Sequence, residues 1–327
     1  MKQNNLKLII ILLLIVTTSV GAITIESKKQ EIQMDKNKGY FTGDVKVQVG
    51  DVVVKSPRAD LDLDPATKKP SLATFFDKPY AHQQKDNKKH EVKADIIKVS
   101  LIKKVITAQG NTQTNVIENK KPTIIITANM QEYDTNTYLM KAIGSVVINY
   151  EDMVATCDNA YALMDKKGDV HNIKLASRAT IKQDKSLIKG DNIQYSKLRQ
   201  DIIATGNTIS DVTFDNGDRV IINANSQQYN RLSNTIMASG KVKVRYGDYT
   251  ADAPKAIMHI NPKTNKPEKI VFLGRSTIVE KGVNSVSADK ITMTMSPRTF
   301  EAIGRVQTNL EQGSGSNKED NKMEFSL

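Results

Sequence analysis

Carboxylate and amide side chains recur along the chain at a regular interval. Glycoside hydrolases use paired carboxylates for acid and base chemistry, and such an enzyme would need two of them at one place. Here each one follows a small residue and occupies the same position of a repeat, once per unit. This periodicity indicates a structural role and argues against a glycan hydrolase or lyase. The motif occurs as Ala59-Asp60, Ala94-Asp95, Ala128-Asn129, Cys157-Asp158, Gly190-Asp191, Ala224-Asn225, Ala251-Asp252 and Ala288-Asp289.

Other catalytic and metal-binding patterns find no support in the sequence. The four histidines lie far from one another and from Cys157, so their spacing does not fit a zinc site. A Gly-x-Ser-x-Gly elbow, a phosphate-binding loop and a His-Glu-x-x-His motif are all absent. We therefore expect no enzymatic activity, no cofactor and no bound metal. The histidines are His82, His90, His171 and His259.

Composition narrows the classes of partner. The chain carries 47 Lys and Arg against 36 Asp and Glu, a net charge of +11. This excess suits an anionic partner without choosing among nucleic acid, phosphorylated lipid and glycan. With 10 Tyr, 7 Phe and no Trp, aromatic residues are too scarce for base stacking, which disfavours a nucleic-acid reader. A single cysteine excludes a disulfide framework.

The N-terminus has the layout of a secretory signal peptide. Lys2 and Lys7 precede an apolar run from Leu8 to Val16, and Val20-Gly21-Ala22 supplies a cleavage site. The rival interpretation is a retained anchor helix, which needs about 20 apolar residues. The run is shorter than that, so we predict a signal peptide over residues 1–22, a mature chain starting near Ile23 and a periplasmic location.

The rest of the sequence is one repeat. Most copies carry a glycine, preceded two positions earlier by alanine and followed by alternating apolar or threonine residues. We call these positions the anchors, and successive anchors are 29 to 34 residues apart. A period in this range is typical of solenoid proteins. Anchors three units apart are also related, which indicates about three modules of about 100 residues. The anchors are Gly43, Asp77, Gly110, Gly144, Ser177, Gly206, Gly240, Gly274 and Gly304.

The local pattern predicts strands. Apolar residues alternate with mostly polar ones after the anchors, which is the period of a half-buried strand. Short turn signals such as Gly247-Asp248 separate these runs and suit antiparallel neighbours. We therefore predict an all-β, antiparallel repeat fold over residues 23–311, with about nine units of two or three strands. The anchor would mark a bend or close approach, and the small residue before each Asp or Asn a tight corner. Residues 312–327 are predicted to be a flexible tail.

The positions two and four after the anchors are candidates for the wall of an apolar trough. Tyrosines also recur four residues after three of the Asp or Asn positions, where a second strand would present them to the trough or its rim. A purely structural interpretation stays open, because any β-solenoid needs inward Val and Ile. The candidates are Val45, Val47, Val146, Ile148, Val242, Val244, Val306, Tyr133, Tyr195 and Tyr229.

The Ala-x-Gly-x-Val-x-Val strand, the trailing Ala-Asp/Asn strand and the signal peptide together resemble the OstA-like family. This family includes LptA, the LptC ectodomain and the N-terminal domain of LptD. The resemblance covers the chain from about Ile25 to Leu310. It implies an antiparallel β-jellyroll that cradles lipid acyl chains and stacks head to tail between the inner and outer membranes. The chain is longer than a typical LptA, and a long LptA-like bridge is the closest match.

The resemblance implies a non-catalytic carrier that binds lipopolysaccharide, or a similar amphiphile, and passes it toward the outer membrane. Lys46, Lys241, Lys243 and Arg245 could contact lipid phosphates or form a solvated surface. A structural or adhesive solenoid of the cell envelope without lipid cargo is the alternative.

Both ends of the repeat are expected to offer unpaired strand edges. The expected partners there are LptC-like and LptD-like proteins or a second copy of the chain, joined by strand addition.

Overall fold

The structure is a computed structural model, and it confirms the predicted all-β antiparallel fold. In the residues that it describes, every regular element is a β-strand, and a helix able to cross a membrane is absent. The predicted signal peptide and the predicted C-terminal tail lie outside the described residues. The structure describes residues 23–49, 51–85, 88–165, 170–214, 217–280 and 283–311.

The chain divides into two compact units, Met1–Ser177 and Arg178–Leu327. In unit 1, long strands pair with their neighbours in chain order, except that three of them are each split into two pieces. β1 and β2 both pair with β3. β5 and β6 both pair with β4, and β7 and β8 both pair with β9. The strands are β1 (Ile23–Glu26), β2 (Lys29–Gln33), β3 (Lys38–Val49), β4 (Val52–Leu63), β5 (Pro70–Phe76), β6 (Tyr80–Lys85), β7 (Lys88–Lys93), β8 (Ile96–Ser100), β9 (Val105–Glu118), β10 (Lys121–Asp134), β11 (Leu139–Tyr150) and β12 (Met153–Met164).

β13 (Val170–Gln183) contains the boundary between the units. Unit 2 continues the same antiparallel order from β14 to β20, and the last two strands both pair with β20. Its strands are β14 (Ser186–Ser196), β15 (Asp201–Thr213), β16 (Arg219–Asn230), β17 (Thr235–Tyr246), β18 (Tyr249–Ile260), β19 (Pro267–Glu280), β20 (Asn284–Met295), β21 (Arg298–Ile303) and β22 (Gln307–Asn309).

Each anchor is a corner at which the strand bends. In β11, Gly144 has a φ of +79° and Ser145 a φ of 51°, and the pairing with β12 skips from Ile143 to Val146. Two successive left-handed residues interrupt the ladder and redirect the chain, as a β-bulge does. All nine anchors have positive φ, including the degenerate anchors Asp77 and Ser177. The prediction that the anchors mark bends is therefore confirmed.

The two sequence motifs meet at these corners. A side chain on Gly144 would come within 3.0 Å of the Cβ of Asn129, the motif residue 15 positions earlier on β10. The same relation joins Gly240 to Asn225 and Gly304 to Asp289. Glycine is needed here for two reasons, the left-handed backbone and the close approach of the preceding strand. This contact explains why both motifs share one period.

The small residue of the second motif points into the interior. Ala59, Ala128 and Ala288 are 3%, 6% and 0% exposed, and Cys157 occupies the same position at 6%. The prediction of a tight corner with a small inward residue is confirmed. On both sides of the corner, inward positions of the long strands alternate with outward ones, so that these strands contribute apolar stripes to the interior. In unit 2 these stripes form one cluster that runs from Phe214 to Phe300.

Candidate functional site

The predicted wall residues lie in the interior, with one exception. Val45, Val146 and Val242 are each 1% exposed, because the corner turns the second residue after each anchor inward. The fourth residue after the anchor faces the same way. Ile148 and Val244 are buried, and Val47 is partly buried against the cluster of unit 1. These six side chains belong to apolar stripes in their own units.

Val306 is the exception. It lies between β21 and β22 and is 49% exposed. Its position in the repeat matches that of Val242, but no later strand in the described part of the chain covers it. Burial of a wall position therefore depends on the next unit as well as on the residue's own strand. Ile303 and Leu310 beside it are also exposed.

The three tyrosines face the interior to different depths. Tyr133 is 1% exposed, and burial raises the pKa of its hydroxyl to about 12. That hydroxyl has no hydrogen-bond partner among the described residues. Tyr229 is partly buried against the cluster of unit 2, and burial also raises its pKa. Tyr195 is half-buried. Tyr133 and Tyr229 thus sit within the apolar interior, and Tyr195 is nearer the rim.

A polar layer, which the repeat pattern did not predict, interrupts the apolar interior of unit 1. Thr112 and Thr114 take the two inward positions after Gly110, where other units carry valine or isoleucine. Thr114 Oγ1 donates to Gln131 Oε1 at 2.7 Å, and Gln131 Nε2 donates to Thr112 Oγ1 at 3.0 Å. All three side chains are at most 3% exposed. Threonine at two inward positions was visible in the sequence as a break in the Val and Ile pattern.

The same layer recurs in unit 2 with one bond missing. Thr208, Ser210 and Gln227 take the equivalent positions, and Gln227 Nε2 donates to Thr208 Oγ1 at 2.9 Å and to the carbonyl of Ile222 at 3.0 Å. Gln227 Oε1 is buried without a partner in the described structure. An unpaired buried acceptor costs free energy, because it has given up its bond to water.

A small cavity opens at the end of the interior of unit 2. Its volume is about 10 Å³, and apolar side chains of the unit 2 cluster line most of it. One polar contact borders it, since the Tyr249 hydroxyl donates to Glu280 Oε1 at 2.8 Å. A volume of this size holds about one water molecule. The lining residues are Tyr249, Ile278, Glu280, Asn284, Ser285, Val286 and Phe300.

The basic residues singled out in the sequence lie on the outer surface. Lys46 forms an ion pair with Glu26 at 3.1 Å, and Lys243 forms one with Asp252 at 3.5 Å. Lys241 and Arg245 are exposed on the same outward face of β17. Two of the four are thus paired within the sheet, which favours the interpretation as a solvated surface.

The pKa values of two potentially reactive side chains, Cys157 and His82, are shifted by burial. Burial raises the pKa of the Cys157 thiol to about 11, so the nucleophilic thiolate is scarce at neutral pH. Burial and the neighbouring Lys89 and Lys55 lower the pKa of His82. Within the described ranges, no three His, Cys, Asp or Glu side chains converge in a way that could hold a metal ion.

The chain matches one family model and is similar to a solved structure. A family model described as "LptA/(LptD N-terminal domain) LPS transport protein" matches residues 24–201 and 221–322. Among solved structures, the chain is similar to LptH from Pseudomonas aeruginosa, titled the LptA-homologous periplasmic component of the lipopolysaccharide transport device. The identity is 16%, the alignment covers 38% of this chain and 83% of that one, and the TM-score is 0.33. A search of curated proteins found no significant match.

Proposed function

Because the chain belongs to the LptA/LptD N-terminal-domain family of lipopolysaccharide transport proteins, we propose that it is a non-catalytic periplasmic lipid carrier. It holds the acyl chains of lipopolysaccharide against its apolar interior and passes them toward the outer membrane. The observation that carries this proposal is the set of inward Val and Ile side chains, which recurs unit after unit. Exposing each CH₂ group of an acyl chain to water costs about 0.8 kcal/mol. An apolar path removes that cost at every step of transport.

The cavity in unit 2 supports a point of access to this interior. It lies beside β21 and β22, which are short and pair only with β20 in the described structure. An acyl chain needs far more room than the cavity has, so the surrounding strands must separate for lipid to enter. The short terminal strands form few ladder bonds and are therefore the easiest to displace. Phe300, 8% exposed on β21, would move away first.

The test is photocrosslinking with a matched pair of aromatic positions. Phe75 and Phe76 are adjacent on β5, but Phe75 is buried in the interior, whereas Phe76 lies outside under the Arg58 guanidinium. We expect benzoylphenylalanine at Phe75 or at Phe300 to crosslink to lipopolysaccharide in cells. The same group at Phe76 should not crosslink. Aspartate at Val146 or Val242 would be a poor probe, because a buried unpaired carboxylate would unfold the protein.

Equal labelling at Phe75 and Phe76, or no labelling at Phe75 and Phe300, would contradict the proposal. A purified protein that carries no extractable lipid, with unlabelled interior probes, would instead favour a structural or adhesive role in the envelope. The periplasmic location is tested separately by the N-terminal sequence of the protein recovered from that compartment. We expect it to begin near Ile23.

The proposed partners are LptC-like and LptD-like proteins or a second copy of this chain. Two features support pairing at the ends. β1 and β2 pair only with β3, and β21 and β22 pair only with β20, within the part of the chain that the structure describes. Exposed apolar side chains lie at both ends, including Ile32 at 58% and Val306 at 49%. Strand addition at such edges would join the apolar interiors of two proteins into one path.

A further inference from the structure

The turns of unit 2 form two edges of opposite character. Each strand folds over at its corner, so its two ends come near each other, as with the Arg298 guanidinium over the Tyr246 ring at 5.4 Å. Successive antiparallel strands place alternate turns at opposite strand ends. The turns at 197–200, 231–234 and 261–266 therefore share one side, which we call the basic turn edge. Backbone bonds stack them, since the amide of Arg231 donates to the carbonyl of Gln200 at 3.0 Å and the amide of Ile260 to that of Asn234 at 2.9 Å.

Two leucines stand at the tips of adjacent turns on this edge. Leu198 is 90% exposed and Leu232 is 66% exposed. Two strands separate these turns, so the tips lie about 10 Å apart. Turn tips normally carry polar residues with a preference for tight backbone geometry. Leucine serves no such purpose at a tip, and both side chains project away from the core of the unit.

The charges of the basic turn edge all have one sign. Its three turns carry five basic residues and no Asp or Glu. Arg199 pairs with the buried carboxylate of Asp201 at 3.0 Å, and the other four residues are exposed. The described turn residues on the opposite side include Asp184, Asp218 and Asp248 against Lys185 alone. The five basic residues of the basic turn edge are Lys197, Arg199, Arg231, Lys263 and Lys266.

Exposed leucines at separate turn tips, flanked by basic residues, are suited to binding the surface of a lipid bilayer. Leucine side chains insert among the lipid headgroups and acyl chains, while Lys and Arg meet anionic headgroups. The separate leucines do not form the contiguous apolar patch of many protein interfaces, and the flanking cations match the charge of anionic headgroups. The same combination occurs in a turn of unit 1, where Ile102 is 67% exposed next to Lys103 and Lys104.

We propose that the basic turn edge of unit 2 docks on the surface of an anionic bilayer. Leu198 and Leu232 insert, and Lys197, Arg231, Lys263 and Lys266 bind the headgroups. This contact involves the outside of the protein and is independent of the interior that the proposed function assigns to acyl chains.

The experiment is vesicle co-sedimentation of the mature chain. Vesicles of phosphatidylcholine alone are compared with vesicles in which about a quarter of the lipid is phosphatidylglycerol, which supplies anionic headgroups. We expect binding to the anionic vesicles only, weakening as salt is raised. Leu198→Ser with Leu232→Ser should weaken it by about tenfold or more. Lys197→Gln with Arg231→Gln should weaken it by about thirtyfold.

Val283→Ser is the matched control, since it removes a 46% exposed apolar side chain from the other row of turns in unit 2. It should leave vesicle binding unchanged, and circular dichroism should show that every variant keeps its strands. The proposal is overturned if the wild-type chain binds neutral and anionic vesicles equally or binds neither. It is also overturned if the leucine variant binds as well as wild type. Absence of vesicle binding together with a smaller oligomer for the leucine variant would assign the edge to a second copy.

Discussion

Cys157 is a residue whose chemistry follows from its place in the repeat. It fills the small inward position that alanine fills in most neighbouring units, and burial raises the pKa of its thiol to about 11. We expect iodoacetamide to modify it at least about tenfold more slowly in the native chain than in urea, because the thiolate is the reactive form. Comparable rates in the two states would show that the corner opens readily.

The same thiol makes stability depend on pH in the alkaline range. Its folded pKa is raised from the ordinary value of 9.0, so folding favours the neutral form. Its contribution is complete below pH 9.0 and is lost as the pH rises toward 11. Cys157→Ala should keep the fold, because alanine suits the corner, and should flatten the fall of the unfolding free energy over that window. Urea titrations of both proteins at several pH values measure this difference.

Gln227 and Gln131 occupy equivalent positions in the repeat and differ in whether the side-chain oxygen Oε1 accepts a hydrogen bond. Thr114 donates to Gln131 Oε1, whereas Gln227 Oε1 is unpaired and the equivalent residue is Ser210. The β-branched side chain of threonine has fewer rotamers, which holds its hydroxyl in place. We expect Ser210→Thr to raise the free energy of unfolding by about 1 kcal/mol, because it satisfies the buried acceptor.

The reciprocal change, Thr114→Ser, provides the control for this prediction. It should lower the free energy of unfolding by about 1 kcal/mol if the fixed rotamer is what matters. Urea midpoints of the two variants and the wild type provide the measurement. A loss of stability in Ser210→Thr would mean that the extra methyl group does not fit in unit 2.

At the scale of the strand, the corners are the points of greatest constraint. Gly144→Ala introduces a side chain where φ is +79° and where Asn129 lies within 3.0 Å. We expect it to cost about 2 kcal/mol or more, since it adds a steric clash to the strain of a left-handed backbone. Gly217→Ala is the control, because Gly217 has a φ of +87° and no heavy atom within 4 Å of the added carbon. It should cost only the backbone strain.

Removing the side chain of residue 129 separates the cost of the steric clash from the cost of the backbone strain. In an Asn129→Gly background, Gly144→Ala should cost about as much as Gly217→Ala, because both the amide and the Cβ of residue 129 that the new methyl group meets are gone. Thermal or urea unfolding of the four proteins completes the cycle. Equal costs for Gly144→Ala and Gly217→Ala in the wild-type background would show that the corner has room to spare.

The strands and corners could be predicted from the sequence because both obey short-range rules. The alternation of Val45 and Val47 with polar residues predicts which face of the strand points inward, and a glycine at a fixed spacing predicts a bend. Depth of burial could not be predicted in the same way. Val306 repeats the position of Val242 but is half-exposed, since burial needs a covering strand that only the tertiary structure supplies. Thr112 and Thr114 were visible as a break in the Val and Ile pattern, but their partner Gln131 lies on the next strand, and only the tertiary structure brings it to them.

At the scale of the whole molecule, the C-terminal edge decides whether the chain can extend a neighbour's sheet. In an antiparallel strand, successive amides point alternately toward the partner strand and away from it. β22 pairs with β20 through Gln307, Thr308 and Asn309. The amides of Gln307 and Thr308 therefore point in opposite directions, one toward β20 and the other outward. Because proline lacks the amide hydrogen, proline at one of these positions removes the outward donor and at the other the inward donor. We expect one of Gln307→Pro and Thr308→Pro to abolish binding to an LptD-like domain or a second copy. The other should mainly loosen β22 from β20.

Light scattering and pull-down report assembly, and hydrogen exchange at Ser285 and Ser287 reports the β20 pairing. If both variants assemble like wild type while circular dichroism shows a folded chain, the junction does not lie at this edge.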